Sequence, residues 1–247
     1  MIEMNKDIFG KIAEYNNAMH RYYKYSFYNK SGIFVASFIV ILQVITLVNC
    51  LKILTLPDLK LLPIILFLAY LFTDFINGLV HMYMDNNTNY KSFTGPFAAA
   101  FHLHHKTPRY RDSNLFKVYF FESGSKWWLL VYLVLLCVCQ IILSIPITIN
   151  IFLVLTGVLS SVAEVSHYWC HNSKKDQKLL SFLQKTYILL PKTHHAKHHS
   201  MDNVNYCFLN GATDPIINWI AKYLYDGYKN NADMHVNFYK GEQKKNR

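Results

Sequence analysis

From Trp127 to Ala163 the chain runs 37 residues without a charged side chain. A helix crossing a hydrocarbon layer of roughly 30 Å needs about 20 apolar residues, so this run is long enough for two crossings. Proline disfavours an unbroken helix, and Ser144-Ile145-Pro146 marks where the two would fold back on each other. Ile33 to Leu51 is a third candidate, interrupted only by Gln43, Thr46 and Asn49. Leu61 to Val80 is a fourth, although it contains Asp74 and Asn77. Leu179 to Leu190 is shorter and contains Lys185, which places it at the interface. The expected fold is all-α, a four-span helical bundle in a membrane. Composition agrees: 16% of residues are charged, against about 25% in an average soluble domain.

A net charge of +10 on a soluble chain would suggest nucleic acid. Here the basic residues read better as a topology signal, since Lys and Arg collect on the cytoplasmic side of membrane proteins. The N-terminal segment carries five, the first loop two (Lys52, Lys60), the second loop six, the third turn none and the C-terminal segment twelve. That alternation puts both termini in the cytoplasm, with no nucleic-acid partner. The membrane would be the endoplasmic reticulum in a eukaryote or the inner membrane in a bacterium. The final Lys244-Lys245-Asn246-Arg247 looks like a dilysine retrieval signal. In the first thirty residues there is no signal-peptide pattern. Ile8, Ile12, Tyr15, Met19 and Tyr22 recur there at helical spacing, which fits an interfacial helix or an ordinary packing helix. The expected organisation is an N-terminal segment over 1–30, a membrane domain over 31–225 and a basic tail over 226–247. Five cysteines without CxxC spacing give neither a disulfide framework nor a Cys-type zinc site.

On this topology the histidines share one face. His81 ends the second span, and His102, His104 and His105 lie in the second loop. His167 and His171 end the fourth span, and His194-His195-Ala196-Lys197-His198-His199 follows it. All four groups meet at the cytoplasmic surface as a histidine-rich helical cap. Residues four apart share a helix face, which pairs His81 with Asp85 and His167 with His171. His194 likewise pairs with His198, and His195 with both His198 and His199. Neutral imidazole is the commonest ligand for a transition metal, whereas crowded imidazolium ions would repel one another. His81, His104, His105, His167, His171, His195, His198 and His199 make eight ligands, with Asp85 and His194 in reserve. One zinc site needs three or four, so the inventory suits two metals, and a non-haem di-iron centre fits it. Asp74, His102, Glu122 and Glu164 are candidates to support those ligands from behind. His20 and His235 have no neighbours of their kind and read as incidental. Nothing resembles a haem, dinucleotide or phosphate-binding motif, so electrons must come from a separate donor.

The words, in order, resemble those of a known family. Asp74-Phe75-Ile76-Asn77-Gly78-Leu79-Val80-His81 with Asp85 is similar to the D-F-x-x-G-x-x-H-x-x-x-D motif of the plasmanylethanolamine desaturase, CarF and Kua-type lipid desaturases. Phe101 to His105 resembles their F-x-x-H-H word, and His167 to His171 their H-x-W-x-H word. His194 to His199 with Tyr206-Cys207 and Gly211 resembles their H-H-x-x-H-H…Y-C…G block. The resemblance implies a membrane di-iron enzyme that uses O2 and electrons from a cytochrome b5-like or ferredoxin-like donor. Its substrate would be an alkyl or acyl chain of a phospholipid, and in the ether-lipid branch its product is a vinyl ether. The chain departs from the family at His102, where arginine is common, and at Glu164-Val165-Ser166. The segment between His105 and Glu122 is also longer. Iron-dependent hydroxylation, a zinc-dependent membrane hydrolase and a non-catalytic metal sensor remain open on the residues alone.

Overall fold

The computed structural model describes residues 2–107, 114–124, 126–172, 177–236 and 238, with side chains from residue 8 onward. The dilysine-like terminus and the middle of the long segment after His105 lie outside the described residues. The described residues form helices joined by turns: α1 (Ile2–Lys24), α2 (Ser26–Ile53), α3 (Leu62–Asn86), α4 (Gly95–Lys106), α5 (Leu115–Lys117), α6 (Trp127–Ile142), α7 (Ile147–Asn172), α8 (Lys178–Lys185), α9 (Lys192–Ser200) and α10 (Asp214–Leu224). A 3-10 turn over Leu56–Leu61 leads into α3, and α5 runs into a π-helical turn over Val118–Glu122.

Among the described residues, three helices are long and apolar enough to cross a membrane: α2, α3 with its leading turn, and α7. α6 has only 16 residues, about 24 Å of helix. It reaches spanning length only together with Leu115–Glu122, and that pair is bent by 93°. The expected fourth crossing is therefore a broken span or a re-entrant element rather than a plain helix. The break expected at Pro146 is where α6 ends and α7 begins.

α3 and α7 form the most extensively packed helix pair, and their lengths set the depth of the site. His81 lies 19 residues after the first residue of α3, and His167 lies 20 after the first of α7. At about 1.5 Å per residue, each stands roughly 30 Å along its helix, at the far edge of a hydrocarbon layer. The polar residues that interrupt the spans tie helices together. Gln43 Nε2 donates to the Gly157 carbonyl at 2.9 Å and to Ser161 Oγ at 2.8 Å. Asn77 donates to Ser160 Oγ at 3.2 Å, and Gln140 to Asn150 Oδ1 at 2.7 Å. Such interhelical bonds supply cohesion where lipid offers no hydrophobic drive.

α1 lies on α4. Tyr15, Ala18 and Met19 are buried against Tyr90, Ala99 and Ala100, while Phe9 and Tyr23 on the same helix are exposed. The N-terminal helix thus packs on the loop region that carries the second histidine word.

Candidate metal centre

Four elements converge at the ends of α3 and α7. α3 brings His81 and Asp85, α4 brings His104 and His105, α7 brings His167 and His171, and α9 brings His195, His198 and His199. Consecutive residues on a helix point about 100° apart, so His104-His105 and His198-His199 are each divided between two groups. His104 joins His167, His171, His195 and His199 in one group, and His105 joins His81, Asp85 and His198 in a second. The groups are neighbours: the His105 and His199 rings lie 4.7 Å apart and the His198 and His199 rings 5.6 Å.

In the first group the Nε2 atoms crowd together. His104 lies 3.1 Å from His167 and 3.0 Å from His171. His195 lies 3.0 Å from His167, 2.9 Å from His171 and 2.9 Å from His199. Each nitrogen is either one donor or one acceptor, so five of them cannot satisfy one another. A cation at their centre satisfies all of them. With metal–nitrogen bonds of about 2.1 Å, adjacent ligands stand about 3.0 Å apart at an octahedral centre and about 3.4 Å apart at a tetrahedral one. The observed spacings of 2.9–3.3 Å are those at which imidazole nitrogens could share one cation. Burial and the neighbouring rings hold His195 well below its ordinary pKa. Burial, with His105 and His198, takes His199 down to about 2. Both rings are therefore neutral and able to bind a metal.

The second group differs by its carboxylate. Asp85 Oδ2 lies 3.3 Å from His81 Nε2 and 3.3 Å from His198 Nε2, and its Oδ1 lies 3.1 Å from His105 Nε2. The far nitrogens are held by the backbone: His81 Nδ1 donates to the Tyr206 carbonyl at 2.7 Å and His198 Nδ1 to the Val204 carbonyl at 2.8 Å. Such partners fix the tautomer that presents Nε2 to a metal. Burial alone would lower His105, but Asp85, with Asp233 and Asp202, outweighs it and holds His105 above its ordinary value.

The loop over 204–213 makes this possible, and Asp74 anchors it. The Asp74 side chain is fully buried. Its Oδ1 accepts from the amides of Leu209, Asn210 and Gly211 at 3.2, 2.9 and 3.2 Å. Its Oδ2 accepts from the Thr213 amide at 3.0 Å and hydroxyl at 2.8 Å. One turn on, a Cβ at Gly78 would come within 2.3 Å of Ile217 and 2.9 Å of Cys207. Any larger residue there would have to push the Ile217 and Cys207 side chains aside for that loop and α10 to lie against α3. The stripe Asp74, Gly78, His81, Asp85 thus reads along one face as two residues that seat the loop and two that face the second group.

Other sequence candidates lie elsewhere. His194 is not brought to either group; its Nε2 sits 2.6 Å from Asp214 Oδ2, because it lies one residue from His195 and so on another face of α9. Asp74 acts on the loop rather than on a ligand. His102 is buried, its Nε2 donating to the Met84 carbonyl at 2.8 Å and its Nδ1 paired with Tyr90 Oη at 2.7 Å. Burial holds it down to about 4. Glu164 is half-buried beside Lys126, and Glu122 lies on the π turn; neither belongs to a ligand group. His20 is exposed on α1.

His235 is the residue that sequence reasoning set aside. It is fully buried and stacks on His102 at 3.7 Å and 12°. Asp85, His102 and His235 converge as a third set, but both nitrogens of His102 are engaged and stacked rings do not aim at one point. That set is packing. Nothing in the local sequence marks His235 except its residue type.

Residues 70–225 match the family model described as the lipid desaturase domain. Neither a curated protein nor a solved structure matches the chain. The match covers well over half of the sequence and contains every residue of the two ligand groups, so the chain belongs to the lipid desaturase domain family.

Proposed function

We propose that the chain is a membrane di-iron desaturase that places a carbon–carbon double bond in an alkyl or acyl chain of a phospholipid. Vinyl-ether formation of the plasmanylethanolamine type is the preferred case. The observation that carries the reading is the convergence of five Nε2 atoms at 2.9–3.3 Å beside a three-histidine, one-carboxylate group. The overall reaction takes two hydrogens from adjacent carbons. With O2, two electrons and two protons it gives the alkene and two waters. His104, His167, His171, His195 and His199 would hold one iron, and His81, Asp85, His105 and His198 the other. Bound there, the irons supply the O2 activation that an unactivated methylene requires.

The chain's own residues do the rest. Phe208 stacks on His167 at 4.2 Å and 7° and lies 4.2 Å from His81, while Phe101 stands edge-on to His81 at 5.3 Å. With Leu209, Ala163 and Leu159 these rings form an apolar wall. It excludes water from the ligands and suits a hydrocarbon chain arriving from the bilayer. The absence of any electron-carrier motif leaves the electrons to a cytochrome b5-like or ferredoxin-like partner. A cytoplasmic centre with cytoplasmic termini is the matching topology.

Lipid mass spectrometry of cells with and without the gene, grown in oxygen, tests the reading. A phospholipid lighter by two hydrogens supports it and locates the double bond. A product heavier by one oxygen makes the enzyme a hydroxylase on the same ligands. No new lipid from chain loaded with iron and reductant overturns the enzyme reading.

A further inference from the structure

The segment after Tyr225 lies beyond the family domain, yet it returns to the second ligand group. Gly227, at φ +83°, is in the left-handed region that glycine tolerates and turns the chain back. The Lys229 amide donates to the Asp202 carbonyl at 3.0 Å, and the Asp202 amide to the Asn230 carbonyl at 3.0 Å. Asn203 Nδ2 donates to the Asp226 carbonyl. The arm is thus tied to the residues that follow α9, the helix with the third histidine word. Farther on, Phe238 lies between Tyr15 and Tyr90, with ring centroids at 5.9 and 5.7 Å.

Between these two anchors sit Asp233 and His235. Asp233 Oδ1 accepts the His235 amide at 2.8 Å and stands 4.0 Å from His105 Nδ1. A histidine that binds metal through Nε2 carries its proton on Nδ1 and nearly always gives it to a carboxylate, carbonyl or water. His81 and His198 give theirs to carbonyls of Tyr206 and Val204, inside the family domain. The carboxylate that faces the Nδ1 of His105 comes from the arm outside it.

We infer that Asp233 is a positioning residue for the second metal site: it takes the Nδ1 proton of His105 and holds that ring with Nε2 toward Asp85. Residues 226–236 are then a clasp that completes the centre rather than a basic tail. The inference rests on the two-group reading above. At 4.0 Å the two atoms are in ion-pair range, and a shift of about 1 Å on metal loading would bring them to hydrogen-bond distance.

The test uses the purified full-length chain in detergent, titrated anaerobically with Fe(II), and with Co(II) to follow each site by its visible spectrum. Wild type should take two metals. Asp233→Ala should weaken one of them about 10–100-fold, the range for loss of such an outer partner, and leave the other unchanged. Asp233→Glu should restore it, which a general loss of stability would not do. Asp233→Asn keeps an acceptor for the His235 amide and should weaken the same site by less. Two metals at wild-type affinity with an unchanged Co(II) spectrum in both Asp233→Ala and Asp233→Asn overturn the inference while the two-site reading stands. Equal weakening of both sites in Asp233→Asn also overturns it. Wild type that takes no second metal overturns the reading and the inference together.

Discussion

The two ligand groups are built from the same words but carry different charge. The first has five imidazoles and no carboxylate; the second has three imidazoles and Asp85. A divalent cation in the first group keeps its full charge, whereas one in the second is partly offset. Two adjacent sites of one residue type can thus be made electrostatically unlike by a single aspartate. The largest expected effect tests this directly. His195→Ala removes a ligand from the first group only, and Asp85→Asn removes the charge from the second only. Each should lower turnover by more than about 100-fold, the upper end for outer-sphere partners. In each variant metal analysis should find the untouched group still loaded. Loss of both metals from either variant would merge the two groups into one.

The groups share a support, and breaking it should affect both. Asp74→Ala would strand four buried backbone amides, each costing about 1–3 kcal/mol when unpaired. The loop they belong to gives carbonyls to His81 and His198 and packs Phe208 against His167. The expected result is a fall in thermal stability of the metal-free protein together with weaker metal binding in both groups. A variant with wild-type melting behaviour would show that the loop stands without its anchor.

This division of labour explains what was legible in the sequence. Helical periodicity put Asp74, His81 and Asp85 on one stripe, and His167 with His171 on another, because same-face spacing is a local property. Three spans were legible as long apolar runs and Pro146 marked the break between α6 and α7, but the expected fourth crossing is not a plain helix. Which of two adjacent histidines serves which group was not, since it depends on how α4 and α9 are rotated against α3 and α7. Asp74 drew attention as a carboxylate near ligands, but its partners lie 135–139 residues away, beyond any periodicity. The bend before α6 lies ahead of Trp127, outside the uncharged run over Trp127–Ala163, so the length of that run did not record it. His235 was hidden for the opposite reason, in a polar segment with no pattern.

Acid should separate the two groups. His105 is held above its ordinary value near 6.5 by Asp85, Asp233 and Asp202, against the effect of burial. Its proton must leave before metal binds, so below its pKa the second group should lose affinity about tenfold per pH unit. His195 and His199 are held far below that value by burial and their neighbours, so protons do not compete for them until much lower pH. As pH falls from 8 toward 5, metal per chain should drop from the second group first, read from the Co(II) spectrum. Simultaneous loss from both would contradict the assigned difference.

The smallest effect concerns His194, which belongs to neither group. His194 Nε2 meets Asp214 Oδ2 at 2.6 Å, and Asp214 Oδ1 accepts the Cys207 amide at 3.1 Å. The pair therefore holds the start of α10 to the loop that seats the ligands, one step removed from the metals. His194→Gln retains a donor of similar reach, so part of this support survives. Stability should fall by about 1–2 kcal/mol, the scale of a weakened buried hydrogen bond to a charged group. Metal per chain should stay at the wild-type value, and turnover should fall less than tenfold. His195→Ala, one residue along, should lose its metal and its activity. If His194→Gln instead strips metal from the first group, α9 is rotated from the orientation that divides its histidines, and the unequal charge of the two groups must be assigned anew.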